Sequence, residues 1–166
     1  MSAANAGISV PGAGPRPGRR QYGDAETSAH STMSAQPTLP TAPYETLGGD
    51  AGVRALVDRF YDLMDLEPEY ADLRAMHPTP LDGSRDKLYW FLSGWLGGPG
   101  LYEQRFGHPR LRMRHFPYSI GVKERDQWLA CMQQAMRELD LPEDLQMRLR
   151  AAFAGTADWM RNQPEA

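Results

Sequence analysis

Beyond Tyr44 the apolar residues recur at helical spacing in four separate stretches, and none of them sustains the two-residue alternation of a half-buried strand. In the first, the Gly48-Gly49 break is followed by Val53, Leu56, Val57, Phe60, Tyr61 and Met64, with Asp50 placed to serve as N-cap. The second carries Leu88, Phe91, Leu92, Trp95 and Leu96 and is stopped by Gly97-Gly98-Pro99-Gly100. The third runs through Trp128, Cys131, Met132, Ala135, Met136 and Leu139, and the fourth, after Pro142, through Leu145, Leu149, Ala152, Phe153, Thr156, Trp159 and Met160. A helix with one apolar stripe must bury it against another element. The pattern therefore predicts an all-α protein of four main helices, with shorter helical or irregular pieces at Glu67 to Met76 and Gly107 to Phe116.

Residues 1–43 read differently. They hold six of the fourteen prolines, a single aromatic (Tyr22), and only Ile8, Val10 and Leu39 as branched aliphatics. Too little apolar surface is available there to offset the entropy of ordering the chain. The expectation is a disordered N-terminal tail over 1–43 and one folded domain over 44–163, which suits a chain of 166 residues.

Composition narrows the function by exclusion. With 18 Lys and Arg against 21 Asp and Glu, net charge −3, the chain lacks the broad basic footprint of a duplex nucleic-acid binder. No apolar run approaches the roughly 20 residues of a membrane span, and the N-terminus has no signal-peptide core. One cysteine, Cys131, excludes an intramolecular disulfide or a multi-cysteine metal site within the chain. On an apolar helix face it reads as an inert small hydrophobe. The expected setting is cytoplasmic, with neither nucleic acid nor membrane as partner.

Candidate chemistry concentrates in "GHPRLRMRHFPY", Gly107 to Tyr118, which has two histidines and three arginines and no acid. Pro109 suits the first turn of a short helix and Pro117 stops one, leaving one to two turns between. At helical spacing Leu111 and His115 share a face, so His115 turns toward the apolar side while Arg110, Arg112 and Arg114 turn away. Two roles fit an inward imidazole: a core histidine with its nitrogens satisfied, or a ligand to the metal of a flat, apolar, anionic group whose carboxylates meet the arginines. Haem is such a group. His108, between Gly107 and Pro109, reads as a turn residue.

The string resembles, together with "YETLGGDAGVRALVDRFYDLM", "LRAMHP", "LYWFLSGWLGGP" and "ERDQWLACM" in the same order, the group II truncated haemoglobins. That family has a two-over-two helical sandwich around haem, and the resemblance covers nearly all of the chain outside the tail. It implies haem b held by His115 as proximal ligand, with Tyr61 and Trp128 as distal hydrogen-bond donors and His77 as a third. It implies further that Ser84 stands where other globins often keep a distal histidine, that Leu88 and Phe91 line the pocket, and that Lys87 and Arg114 meet the haem carboxylates. Arg110 and Arg112 are further candidates for the carboxylates.

The function so implied is reversible binding of dioxygen and other diatomics such as carbon monoxide and nitric oxide. Two alternatives remain open at this level. One is dioxygen-dependent nitric oxide oxidation or peroxide chemistry on the same cofactor, served by an external reductase. The other is a haem-free helical module that uses the arginines for phosphate or nucleic acid.

Overall fold

The computed structural model describes residues 41–164, and all regular structure among them is helical. The order is α1 (Pro43–Leu47), α2 (Gly49–Leu66), a 3-10 turn (Pro68–Tyr70), α3 (Ala71–Ala75), α4 (Asp82–Trp95), α5 (Leu101–Phe106), α6 (Leu111–His115), α7 (Val122–Glu138) and α8 (Glu143–Trp159). The four long helices are the four predicted from periodicity. α1 and α5 carry too few apolar positions to show a period and were not anticipated. The expected tail lies outside the described residues as far as position 40, and Pro43 already opens α1.

α2 packs on α4 and on α7, and α7 on α8, so two helix pairs build the sandwich. Their shared interior is the α2 stripe of Val53, Leu56, Val57, Phe60 and Met64 against Cys131, Met132, Ala135 and Met136 of α7, with Leu92, Leu145, Leu149 and Phe153 completing it. Each such Leu, Phe or Met stabilises the fold by about 2 kcal/mol. The remaining helices therefore serve mainly to place residues around this block.

Several local expectations are corrected. Asp50 is not the N-cap of α2; Gly48 is, in the left-handed conformation that also ends α1, and Asp50 accepts the hydroxyl hydrogen bond of Tyr89 on α4. Pro109 lies ahead of α6, whose cap is Arg110 at φ 46°. The apolar residues of α4 also do not form one buried face. Leu92 and Leu96 are buried in the core, whereas Leu88, Phe91 and Trp95 form an adjacent, half-buried stripe. On α8, Ala152 and Trp159 are exposed; the guanidinium of Arg112 stacks 4.6 Å from the Trp159 ring.

Candidate functional site

The half-buried stripe of α4 is the first sign of a site, because apolar surface left uncovered beside a well-filled core is unusual. Ser84, Leu88, Phe91 and Trp95 follow one another at spacings of four, three and four, so they share one side of the helix. Next to this side lies a cavity of about 880 Å³, lined among others by Phe91, Trp95, Leu111, Arg112, Met113 and Met160. It lies between α4, the α5–α6 segment and the end of α8, and its size suits a cofactor.

Opposite α6 in sequence, aromatic rings form a continuous chain through the sandwich. His77 meets Tyr61 at 5.8 Å, Tyr61 meets Phe60 at 5.0 Å and Phe60 meets Trp128 at 5.3 Å. Trp128 then meets Phe153 at 5.4 Å, Phe153 stacks on Trp95 at 4.8 Å, and Trp95 lies 6.5 Å from Phe91. Residues from α2, α4, α7 and α8 and from the turn after α3 are thereby linked ring to ring; Phe91 and Trp95 line the cavity, whereas Tyr61, His77, Trp128 and His115 are not among its lining residues.

The polar atoms along this chain of rings are the informative ones. Tyr61 is only 5 % exposed, yet its hydroxyl makes no hydrogen bond among the described residues. Burial pushes its phenol above the ordinary range, while the guanidinium of Arg85, 5.8 Å from the ring, pulls the other way. The indole N–H of the half-buried Trp128 likewise has no partner among the described residues. Tyr70 and Tyr89, by contrast, are paired, donating to Gln134 Oε1 at 2.6 Å and to Asp50, while buried Tyr102 is a further hydroxyl with no partner among the described residues. Tyr61 and Trp128, both in ring contact with Phe60, are two hydrogen-bond donors without partners among the described residues, as the distal donors implied by the family resemblance would be.

Two histidines are set by backbone carbonyls. His115 is half-buried, and its Nδ1 lies 2.6 Å from the Leu111 carbonyl oxygen. A carbonyl only accepts, so Nδ1 is the donor, which in the neutral ring leaves the lone pair on Nε2. That is the state a metal-ligating imidazole requires, with the second nitrogen fixing ring and tautomer. His77, just past α3, makes the same bond to Leu73 O at 2.9 Å. Burial first, then Arg74 and His115, hold its pKa below the ordinary imidazole value, so it is neutral at pH 7 and its Nε2 accepts.

Around α6 the cations are exposed. Arg114 donates through Nε to Pro109 O at 2.8 Å, leaving its terminal nitrogens, and lies 5.7 Å over the Tyr102 ring. Lys87 is exposed on α4, one turn before Phe91, and makes no ion pair among the described residues. His108 accepts the Arg110 N–H on Nδ1 at 3.1 Å, closing a turn as expected. Among the described residues no group of three or more His, Cys, Asp or Glu could hold a bare metal ion. One imidazole, an apolar slot and peripheral cations fit an iron held mainly by a porphyrin, which needs only an axial ligand from the chain.

Sequence reasoning missed three residues that hold this arrangement. Arg85 of α4 reaches α2 on either side of Tyr61, donating to the Asp58 carbonyl at 3.0 Å and to Asp62 Oδ1 at 2.6 Å. Gln127 of α7 accepts the Leu73 N–H at 3.0 Å, steadying the turn that carries His77. Asn162, past α8, ties down the segment after His115. Periodicity is blind to all three, since each acts through a polar side chain across a long sequence separation.

Two helix pairs, joined in sequence by a segment whose five-residue helix carries an imidazole with a free Nε2, define the class: a truncated, two-over-two globin. Comparison with known proteins then fixes the branch. The family model described as bacterial-like globin matches residues 42–162. The chain is 38 % identical to the group 2 truncated haemoglobin YjbI of Bacillus subtilis over 125 residues, 75 % of this chain and 92 % of the relative. Among solved structures it is similar to the group II 2-on-2 haemoglobin of Agrobacterium tumefaciens, with 46 % identity, TM-score 0.73 and coverage of 78 % of this chain and 100 % of that one. It is also similar to the cold-adapted truncated haemoglobin of Pseudoalteromonas haloplanktis, with 44 % identity, TM-score 0.73 and coverage of 75 % and 100 %. The chain belongs to the bacterial-like globins, in the group II truncated haemoglobin branch, and membership of that family implies haem as its cofactor.

Proposed function

We propose that the chain binds haem b with His115 as axial ligand and uses it to bind dioxygen and other diatomic gases reversibly. The observation that carries this reading is the His115 imidazole, whose Nδ1 proton is committed to Leu111 and whose Nε2 is free to coordinate. When bound, haem supplies an iron with a coordination position open to a small ligand. The chain does the rest. Leu88 and Phe91 present an apolar wall that excludes water, with Ser84 continuing the same side of α4. Lys87 and Arg114 offer exposed cations to the two carboxylates, with Arg110 and Arg112 nearby.

Tyr61 and Trp128 hold an O–H and an N–H toward a ligand that acquires partial negative charge, and in a dry pocket such preorganised donors act strongly. His77, whose ring meets that of Tyr61 at 5.8 Å, completes the proposed distal set. A redox role would add an external reductase as electron donor.

The test is spectroscopic. Full-length protein produced with haem should show a Soret band and a carbon monoxide difference spectrum, and His115→Gly should lose the axial nitrogen; a colourless protein that refuses haem overturns the reading. Stopped-flow release separates the roles: release of dioxygen over many seconds, with reductase-coupled nitric oxide consumption, would replace delivery by nitric oxide oxidation.

A further inference from the structure

α6 carries the imidazole on which the proposed function rests, yet none of its residues is buried. Burial in the core therefore does not hold this helix. Nor does its own length: five residues supply few internal hydrogen bonds, and a helix this short is unstable alone. Its N-terminal side is shaped by the His108 turn and the left-handed Arg110. Something must fix the C-terminal side, where His115 lies.

That role falls on one amide. Asn162 Nδ2 donates to the His115 carbonyl at 3.2 Å and to the Tyr118 carbonyl at 2.7 Å, while its Oδ1 accepts the Ile120 N–H at 2.9 Å. The backbone closes the tie, with the N–H groups of Asn162 and Gln163 donating to Ile120 O at 2.9 and 3.1 Å. Buried Ile120 and Met160 anchor the two sides of this junction in the body of the protein. His115 is consequently held at its ring by Leu111 and at its carbonyl both by the local Tyr118 N–H, at 3.0 Å, and by Asn162, the one of these contacts that comes from outside its own segment.

We propose that Asn162 is the positioning residue for the axial histidine: through its amide, the end of α8 sets the placement of His115 beneath the cofactor, and with it the strength of axial ligation and the retention of haem. The proposal rests on the reading of His115 as axial ligand. It assigns to the C-terminal segment a part in ligand chemistry rather than only in closing the chain.

Two substitutions separate these roles in the full-length protein. Asn162→Leu keeps the approximate shape and removes every side-chain hydrogen bond. Asn162→Asp keeps the acceptor for Ile120 N–H, so the chain end stays tied, but removes both donors to the carbonyls. In each variant the iron–imidazole stretching band of the ferrous protein should shift and broaden, and haem transfer to an excess of apomyoglobin should accelerate about tenfold, the scale of one to two lost hydrogen bonds. Wild-type band position and transfer rate in both variants would overturn the proposal.

Should the variants not fold, the wild-type protein still decides it by NMR. The Asn162 side-chain amide protons should exchange with water at least about tenfold more slowly than those of exposed Gln104, and equal rates would overturn the proposal. A wild-type protein that takes up no haem, or a His115→Gly variant that keeps its nitrogen ligand, overturns the proposed function and this inference with it. Normal haem binding with silent Asn162 variants overturns this inference alone.

Discussion

Removing one oxygen atom from Tyr61 should separate function from stability. The side chain is 5 % exposed and its hydroxyl has no partner among the described residues, so Tyr61→Phe breaks no hydrogen bond within the protein. The hydroxyl oxygen is not fully shut off from solvent, so water can satisfy it and little of the roughly 1–3 kcal/mol cost of an orphaned polar group applies. The unloaded variant should therefore range from unchanged to about 1 kcal/mol more stable in urea denaturation. Tyr70→Phe provides the contrast. Tyr70 is as buried, but its hydroxyl donates to Gln134 at 2.6 Å, and its loss should cost about 1 kcal/mol. Ligand release should show the opposite order. A hydrogen bond to a charged acceptor is worth about 1.5–3 kcal/mol, so Tyr61→Phe should speed dioxygen release by roughly 10- to 100-fold in stopped flow, and Tyr70→Phe by less than about twofold. The reasoning is refuted if Tyr61→Phe destabilises the unloaded protein by more than about 1 kcal/mol, or leaves release unchanged.

The other predictions concern packing and pH. At Gly52 an added Cβ would stand 2.1 Å from the Leu47 carbonyl oxygen, a backbone atom that cannot step aside, so Gly52→Ala should cost at least about 2 kcal/mol by urea denaturation despite the better helix propensity of alanine. His77 has a folded pKa below its ordinary 6.5, mainly through burial. As pH falls through 6.5 the unfolded chain gains a proton that the folded one refuses, so stability is full above that pH and is lost below it, at no more than about 1.4 kcal/mol per pH unit. Denaturation midpoints between pH 7 and 5 should fall less steeply in His77→Gln than in the wild type, and parallel curves would show that His77 is not the group responsible.

Much of the fold was legible because it depends on periodicity. Four apolar stripes gave four helices, and the glycine and proline breaks placed their ends within a few residues. What periodicity blurred was the difference between core and site. Leu88, Phe91 and Trp95 share a sequence pattern with Leu92 and Leu96, yet the first three stay half-buried, Phe91 and Trp95 lining the cavity, while the last two fill the core. Both are apolar for the same physical reason, since a protein interior and a porphyrin exclude water alike. His115 was readable from spacing as an inward imidazole but not as a ligand, a role that came from the compound resemblance. The tautomer that suits it to the role depends on a bond to Leu111 that only coordinates reveal. The same holds for His77, whose bond to Leu73 also appears only in the coordinates.

The residues that neither pattern nor resemblance revealed share a logic. Arg85 crosses from α4 to grip α2 at Asp58 and Asp62, positions that bracket Tyr61, and Asn162 crosses from the end of α8 to grip the backbone of His115. Core burial fixes where the helices lie to within their packing, but a donor or ligand must be held more closely than that to act. The proposed donor Tyr61 and the proposed ligand His115 each stand beside such a polar tie between elements, made by a neighbouring residue rather than by their own side chains. Arg85 adds an electrostatic part, because its charge opposes the effect of burial on the Tyr61 phenol. Such ties leave core patterns untouched and join residues 23 and 47 positions apart, Arg85 with Asp62 and Asn162 with His115. Substitutions at Arg85 and Asn162 should accordingly alter ligand and haem kinetics more than they alter the fold.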